Sequence, residues 1–253
     1  MRLRGLVLLG VAVFLCALLL QAPAAVLYGW FKPKAVTPAV TLYGLQGTID
    51  EGQLSGLFIN EAPAFLDLHW KLKPWWLLLA HARFHVDGGD TQAVLDGDVN
   101  MGPLGGVALK NLRASMDVKA LLSIIGQPYL PMGGQLAIDL EDLQLNGHTL
   151  TQANGRVIVH GLAWTLARPE VELGDFQSDI TTENGDILAK IVTTSGPLEL
   201  SGDAKLAADQ SYQLHLKYRP KPAAESMVRN LLSSSGAADS QGWYHFDQRG
   251  KWQ

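Results

Sequence analysis

Side chains that alternate apolar and polar at every step commit a chain to β-strand, because successive Cβ atoms of a strand point to opposite faces. Leu66, Leu68, Trp70 and Leu72 alternate with Asp67, His69, Lys71 and Lys73. Leu136, Ile138 and Leu140 alternate with Ala137, Asp139 and Glu141, and Tyr212, Leu214, Leu216 and Tyr218 with Gln213, His215 and Lys217. Such regularity is the pattern of antiparallel sheet with one face in water; buried parallel strands read instead as unbroken apolar runs.

Turn chemistry agrees. Asp87-Gly88, Asp96-Gly97, Asn146-Gly147, Asn154-Gly155 and Asn184-Gly185 supply the positive φ that tight hairpins require, and each is expected to close one. Three interruptions read as helical: Pro74 to Ala80, a stretch that Asp117 caps as far as Ile125, and a helix opening at Pro222 with Met227, Val228, Leu231 and Leu232 as its apolar stripe. The expected fold is all-β, a long curved antiparallel sheet forming a half-open groove or a sandwich-like meander, with a few short helices.

Hydrophobic residues make up 47% of the chain and charged ones only 17%, an apolar balance that points to a membrane segment or an unusually apolar fold. Gly5 to Leu20 runs without a charge, and the apolar character resumes after Gln21 as far as Leu27. A helix of about 20 residues crosses a bilayer core, so one is expected from Gly5 to about Leu27, with Tyr28, Trp30 and Phe31 at headgroup depth and Lys32 and Lys34 in water. Arg2, Arg4 and the small-x-small site Ala22-Pro23-Ala24 also fit a cleaved signal peptide, and the apolar residues beyond that site favour retention. Residues 1–31 are thus expected to be a cytoplasmic tail and transmembrane anchor, and residues 32–253 an exported β domain.

The formal net charge is −4, and −6 once Arg2 and Arg4 are set aside, which excludes a nucleic-acid partner held by phosphate contacts. The single cysteine, Cys16, lies in the apolar run and leaves the main domain without a thiol nucleophile. His81 and His85 would share a helix face, but their setting alternates as a strand, which separates them by roughly 13 Å. Asp96-Gly97-Asp98-Val99-Asn100 opens like a calcium loop, yet Met101 and Val107 stand where glycine and a bidentate acid are needed, so it reads as a hairpin turn. Asp139, Glu141 and Asp142 read as a solvated strand face. Gly102-Pro103-Leu104-Gly105-Gly106 lacks the lysine of a phosphate loop, and no serine sits in a nucleophile elbow. The expectation is no enzyme, no cofactor and no metal.

The order of several stretches resembles the type II secretion system protein N family. They are Gly47 to Gly52 with Ser55-Gly56-Leu57, Leu68 to Pro74 leading into Leu77-Leu78-Leu79, Gly133 to Leu136, Asn154 to Val157 ahead of Ala163-Trp164, Leu198 to Gly202, Tyr212 to Leu216, and Gly242 to Phe246. The resemblance implies a single-pass protein of the bacterial inner membrane with a periplasmic β domain. Its partners would be other type II secretion components, and its task the export of folded proteins across the outer membrane. Two mechanisms stand open. One is a scaffold that docks partners by exposed sheet edges or by an apolar corner at Trp75 and Trp76. The other is lipid handling in the manner of AsmA-like or lipopolysaccharide-transport β-grooves, with Leu66, Leu68, Trp70, Leu72, Leu136, Ile138, Leu140, Leu214 and Leu216 lining a trough or else packing as a closed core.

Overall fold

The computed structural model describes residues 21–31, 40–79, 81–102, 106–147, 149–222, 224, 226–233 and 236–251. An eight-residue helix α1 (Ala24–Phe31) precedes the sheet. The strands follow as β1 (Val40–Tyr43), β2 (Gln46–Gly47), β3 (Glu51–Ile59), β4 (Ala62–Leu72), β5 (Ala82–Gly89), β6 (Ala93–Met101) and β7 (Gly106–Asp117). After helix α2 (Val118–Ile124) come β8 (Met132–Asn146), β9 (Thr149–Trp164), β10 (Val171–Glu183), β11 (Asp186–Ser195), β12 (Leu198–Leu206) and β13 (Ser211–Pro220); helix α3 (Ser226–Ser233) then leads to β14 (Tyr244–Lys251).

All fourteen strands lie in one antiparallel sheet in chain order, with β2 paired beside β3 and with β1 and β14 at the two edges. Cross-strand partners share a face, so the register carries polarity from strand to strand. Leu54, Leu68, Gly88, Leu95, Ala114 and Ile138 stand opposite one another in turn. Val157, Ser178, Ile191, Gly202, Leu216 and Phe246 continue that row to β14. This is the apolar face, and at one end of the strands the two helices sit on it. Val118 and Leu122 of α2 are buried, and Leu121 and Ile124 pack against Leu54, Phe65, Leu68, Met116 and Leu136. Val228 and Leu232 of α3 close a second core over Val171, Leu173, Phe176 and Leu198.

Three expectations need correction. Asn146-Gly147 and Asn184-Gly185 do form hairpin turns, but Gly88, Gly97 and Gly155 lie inside β5, β6 and β9. Close strand approach, not chain reversal, demands glycine there: at Gly155, with φ +144°, a Cβ would stand 2.3 Å from the Asp139 carbonyl. The last helix begins at Ser226 instead of Pro222, whose carbonyl accepts a 2.7 Å hydrogen bond from Arg229 Nη2. The expected membrane helix lies mostly on residues 1–20, outside the described residues, and does not run unbroken to Leu27. Gln21 and Ala22 form a turn and Pro23 bridges to Thr48 before α1 begins, as proline's clash with a helical predecessor requires. Among the described residues no helix is long and apolar enough to cross a membrane.

Replacing Gly155 by alanine is expected to cost about 2 kcal/mol or more, since backbone must move to admit the methyl. Gly147, with φ +61° and open space around it, should lose only about 1 kcal/mol on the same change. Thermal unfolding of both variants checks this, and equal losses would refute the close-approach account.

Candidate functional site

A pair of exposed tryptophans is built where β4 hands over to β5. Beyond Leu72 the Lys73 N–H donates to the Arg83 carbonyl at 2.7 Å, and Pro74–Leu79 forms a single 3-10 turn. The Trp76 N–H donates to the Lys73 carbonyl, and the Trp76 carbonyl accepts from the His81 N–H, each at 3.2 Å. Trp75 is left 81% exposed and Trp76 41%.

Beneath this turn is a charged anchor. Asp98, buried at 8%, accepts from Lys73 Nζ and from Arg83 Nη2, each at 2.7 Å, and lies 3.2 Å from His85 Nδ1. Burial alone would raise its carboxyl, but the hydrogen bonds and charges of Lys73 and Arg83 outweigh burial and hold it down to about 2. The Arg83 guanidinium also lies 5.1 Å from the centre of the Trp76 ring, a cation–π contact. The tryptophan turn is therefore clamped to β5 and β6 as well as to its own strand.

The chain enters the domain at the same end of the sheet. Pro23 pairs with Thr48 in the turn ahead of β3, and the Thr48 carbonyl accepts from Trp70 Nε1 at 3.2 Å. The Asp50 carbonyl accepts from the Leu72 N–H at 2.7 Å. Two residues later the Pro74 turn begins.

The predicted apolar set is spread along the sheet, not gathered at one site. Leu68 and Leu136 belong to the first core, with Trp70 and Ile138 packed against it. Leu72 and Leu140 are buried on neighbouring rows, opposite Phe84 and Leu112. Leu214 and Leu216 are half-buried, and Phe246, opposite Leu216, is 46% exposed. Leu66 leaves the stripe. Asp67 adopts φ +50°, so Phe65 and Leu68 both reach the first core while Leu66 turns toward Gly56 and Phe58.

The opposite face carries charge. Gln53, His69, Asp87, Asp96, Arg113 and Asp139 stand opposite one another in turn, followed by Arg156, Asp179, Lys190, Asp203, His215 and Asp247. Arg156 Nε donates to Asp179 at 2.8 Å and holds its carboxyl below the ordinary value. A hollow of about 900 Å³ opens on this face, lined by Asp179, Lys190, Asp203, His215 and Asp247.

The calcium-like stretch is not a hairpin turn but mid-strand in β6, and its Asp98 is engaged by two cations. Asp139 and Asp142 are separated in role, the first facing Arg113 at 3.8 Å and the second accepting from Gln152 at 2.7 Å. No group able to hold a metal ion occurs among the described residues. Sequence reasoning missed the Lys73–Asp98–Arg83 anchor, whose members become neighbours only through strand register. It also missed Trp243, which Lys217 and Arg219 cover at 5.0 and 4.2 Å and which, with Tyr244 stacked on Tyr218, fastens β14 to β13.

The Asp98 carboxyl is lowered on folding, so its contribution is complete above its ordinary value of 3.8 and is lost as pH falls through about 2. Asp98→Asn is expected to cost about 2 kcal/mol at neutral pH, because two cations lose their shared counter-ion. The same variant should show a smaller further loss than the parent between pH 4 and pH 2 in acid unfolding followed by circular dichroism.

Comparison with known proteins accounts for nearly the whole chain. A protein of Klebsiella pneumoniae described as type II secretion system protein N is 25% identical over 256 residues, covering 97% of this chain and 94% of that protein. No solved structure matches the chain. The family model for type II secretion system (T2SS), protein N, matches residues 38–247, the span that holds every strand from β1 to β13 and the first half of β14, and the chain belongs to that family.

Proposed function

We propose that this protein is an accessory component of the type II secretion system, held in the bacterial inner membrane by its N-terminal apolar segment. Residues 32–253 stand in the periplasm and assist export of folded proteins across the outer membrane by docking other components of the machine. The reading is of a non-enzymatic scaffold. The observation that carries it is the open edge of the sheet: β14 pairs only with β13 among the described residues, and His245 to Gly250 are exposed. An edge strand offers a row of unpaired backbone groups to a strand from another chain. The cation-covered Trp243 keeps that edge in place without covering it.

Photocrosslinking groups placed at Asp247, Gln248 and Arg249 in cells with an assembled secretion system are expected to trap another secretion subunit. A group at Tyr129, 94% exposed at the far end of the strands, is expected to trap none. Assembled machinery with no adduct along β14 would sink the docking role.

One observation favours the lipid-handling reading as a second possibility. Over β11 to β14 the apolar face is only partly covered, with Ile191, Leu214 and Leu216 half-buried and Phe246 more exposed. Each methylene of an acyl chain laid there would contribute about 0.8 kcal/mol. Native mass spectrometry of the detergent-extracted protein should then show bound phospholipid that Leu216→Asp reduces, and an equally lipid-free parent and variant would remove this reading.

A further inference from the structure

We infer that the Pro74–Leu79 turn is a second membrane contact, resting Trp75 and Trp76 in the headgroup region of the same bilayer that holds the N-terminal segment, an inference that rests on the anchor reading. Pro23, at the end of the apolar run, is pinned to Thr48, and Thr48 is tied through Trp70 to the strand that carries the turn. The turn therefore lies at the end of the sheet where the anchored segment arrives.

Its chemistry fits a lipid surface. Pro74 through Leu79 carries no charge, Trp75 is 81% exposed, and Met101, 46% exposed, pairs with Ala82 just beyond the turn. Indole rings favour the zone between hydrocarbon and water, and cations next to them find lipid phosphate. Lys73 and Arg83 supply two positive charges against the single charge of Asp98. The far end of the strands also exposes apolar side chains, Ile125, Tyr129, Leu130 and Leu166, but Pro23 is pinned at the tryptophan end, so a label at Tyr129 tests which end meets the lipid. The clamp on Asp98 ties the turn to β5 and β6, so a contact through it would orient the sheet over the membrane, which a single point of attachment cannot do.

The test uses the full chain with Cys16→Ser, reconstituted in vesicles of phosphatidylethanolamine and phosphatidylglycerol. An environment-sensitive fluorophore is attached at Met101→Cys or, as control, at Tyr129→Cys. Flotation should carry both proteins with the vesicles. The Met101 label should emit at shorter wavelength and be quenched at least threefold more by nitroxide-bearing lipid than the Tyr129 label. Trp75→Glu, which leaves the Trp76–Arg83 contact in place, should return the Met101 label toward the aqueous signal with flotation and melting temperature unchanged. A floating protein whose Met101 label is as aqueous as the Tyr129 label overturns the inference alone. A protein that fails to float overturns the anchor and the inference with it.

Discussion

Cross-strand register is the constraint on which the rest of this molecule depends. In a single meander every strand inherits its two faces from the strand before it, so a slip of one residue anywhere would reverse polarity for all that follows. Two positions show how that is avoided. At Asp67 and again at Asn111 the backbone takes a positive φ, which shifts the alternation by one residue. Around each the pairing resumes in unchanged register with the neighbour, β3 in the first case and β8 in the second. Both strands of the pair step together, and the apolar row stays on one side. At Asn111 the accompanying offset falls on the outer neighbours, β6 and β9, where the register does shift.

The charged row polices the same register from the other side. From Asp96 to Asp247 each Arg, Lys or His of the row stands between two carboxylates across neighbouring strands. Exposed pairs of this kind contribute little each, but a slipped strand would turn its charges onto the oily face or set like charges opposite one another. Where the alternation of sign fails, at Asp87 opposite Asp96, His85 lies 4.0 Å from one and 3.5 Å from the other. Asp98, the most buried carboxylate among the described residues, has two full cations.

Alternation made the sheet and its two faces legible in the sequence, because a period of two has no other physical origin. Strand order was not legible: a meander and a sandwich place the same demands on each strand. Glycine misled at Gly88, Gly97 and Gly155 because one residue type serves both turns and tight strand approach, and only the neighbour across the sheet distinguishes them. Trp75 and Trp76 stood out as an apolar pair beside a proline. The anchor beneath them did not, since Lys73 and Asp98 are remote in sequence and meet only once β4, β5 and β6 are aligned. Leu66 was assigned to the wrong side of its strand for a similar reason, as nothing about an aspartate in an alternating run announces a positive φ.

The two ends of the strands have different chemistry, and that asymmetry follows from chain order. Strand connections alternate between ends, and the long ones holding α2 and α3 fall at the same end, where the helices bury the apolar face. The other end receives short turns and the uncharged tryptophan turn, together with the incoming N-terminal segment. A sheet helix-covered at one end, joined by the N-terminal segment at the other through the Pro23–Thr48 bridge and open along the β14 edge can be approached from the side. Closure into a barrel would have protected the edge at the cost of that access. For a protein whose family works as part of a larger secretion assembly, a sheet left open along one edge is the form that leaves backbone pairing free for another chain.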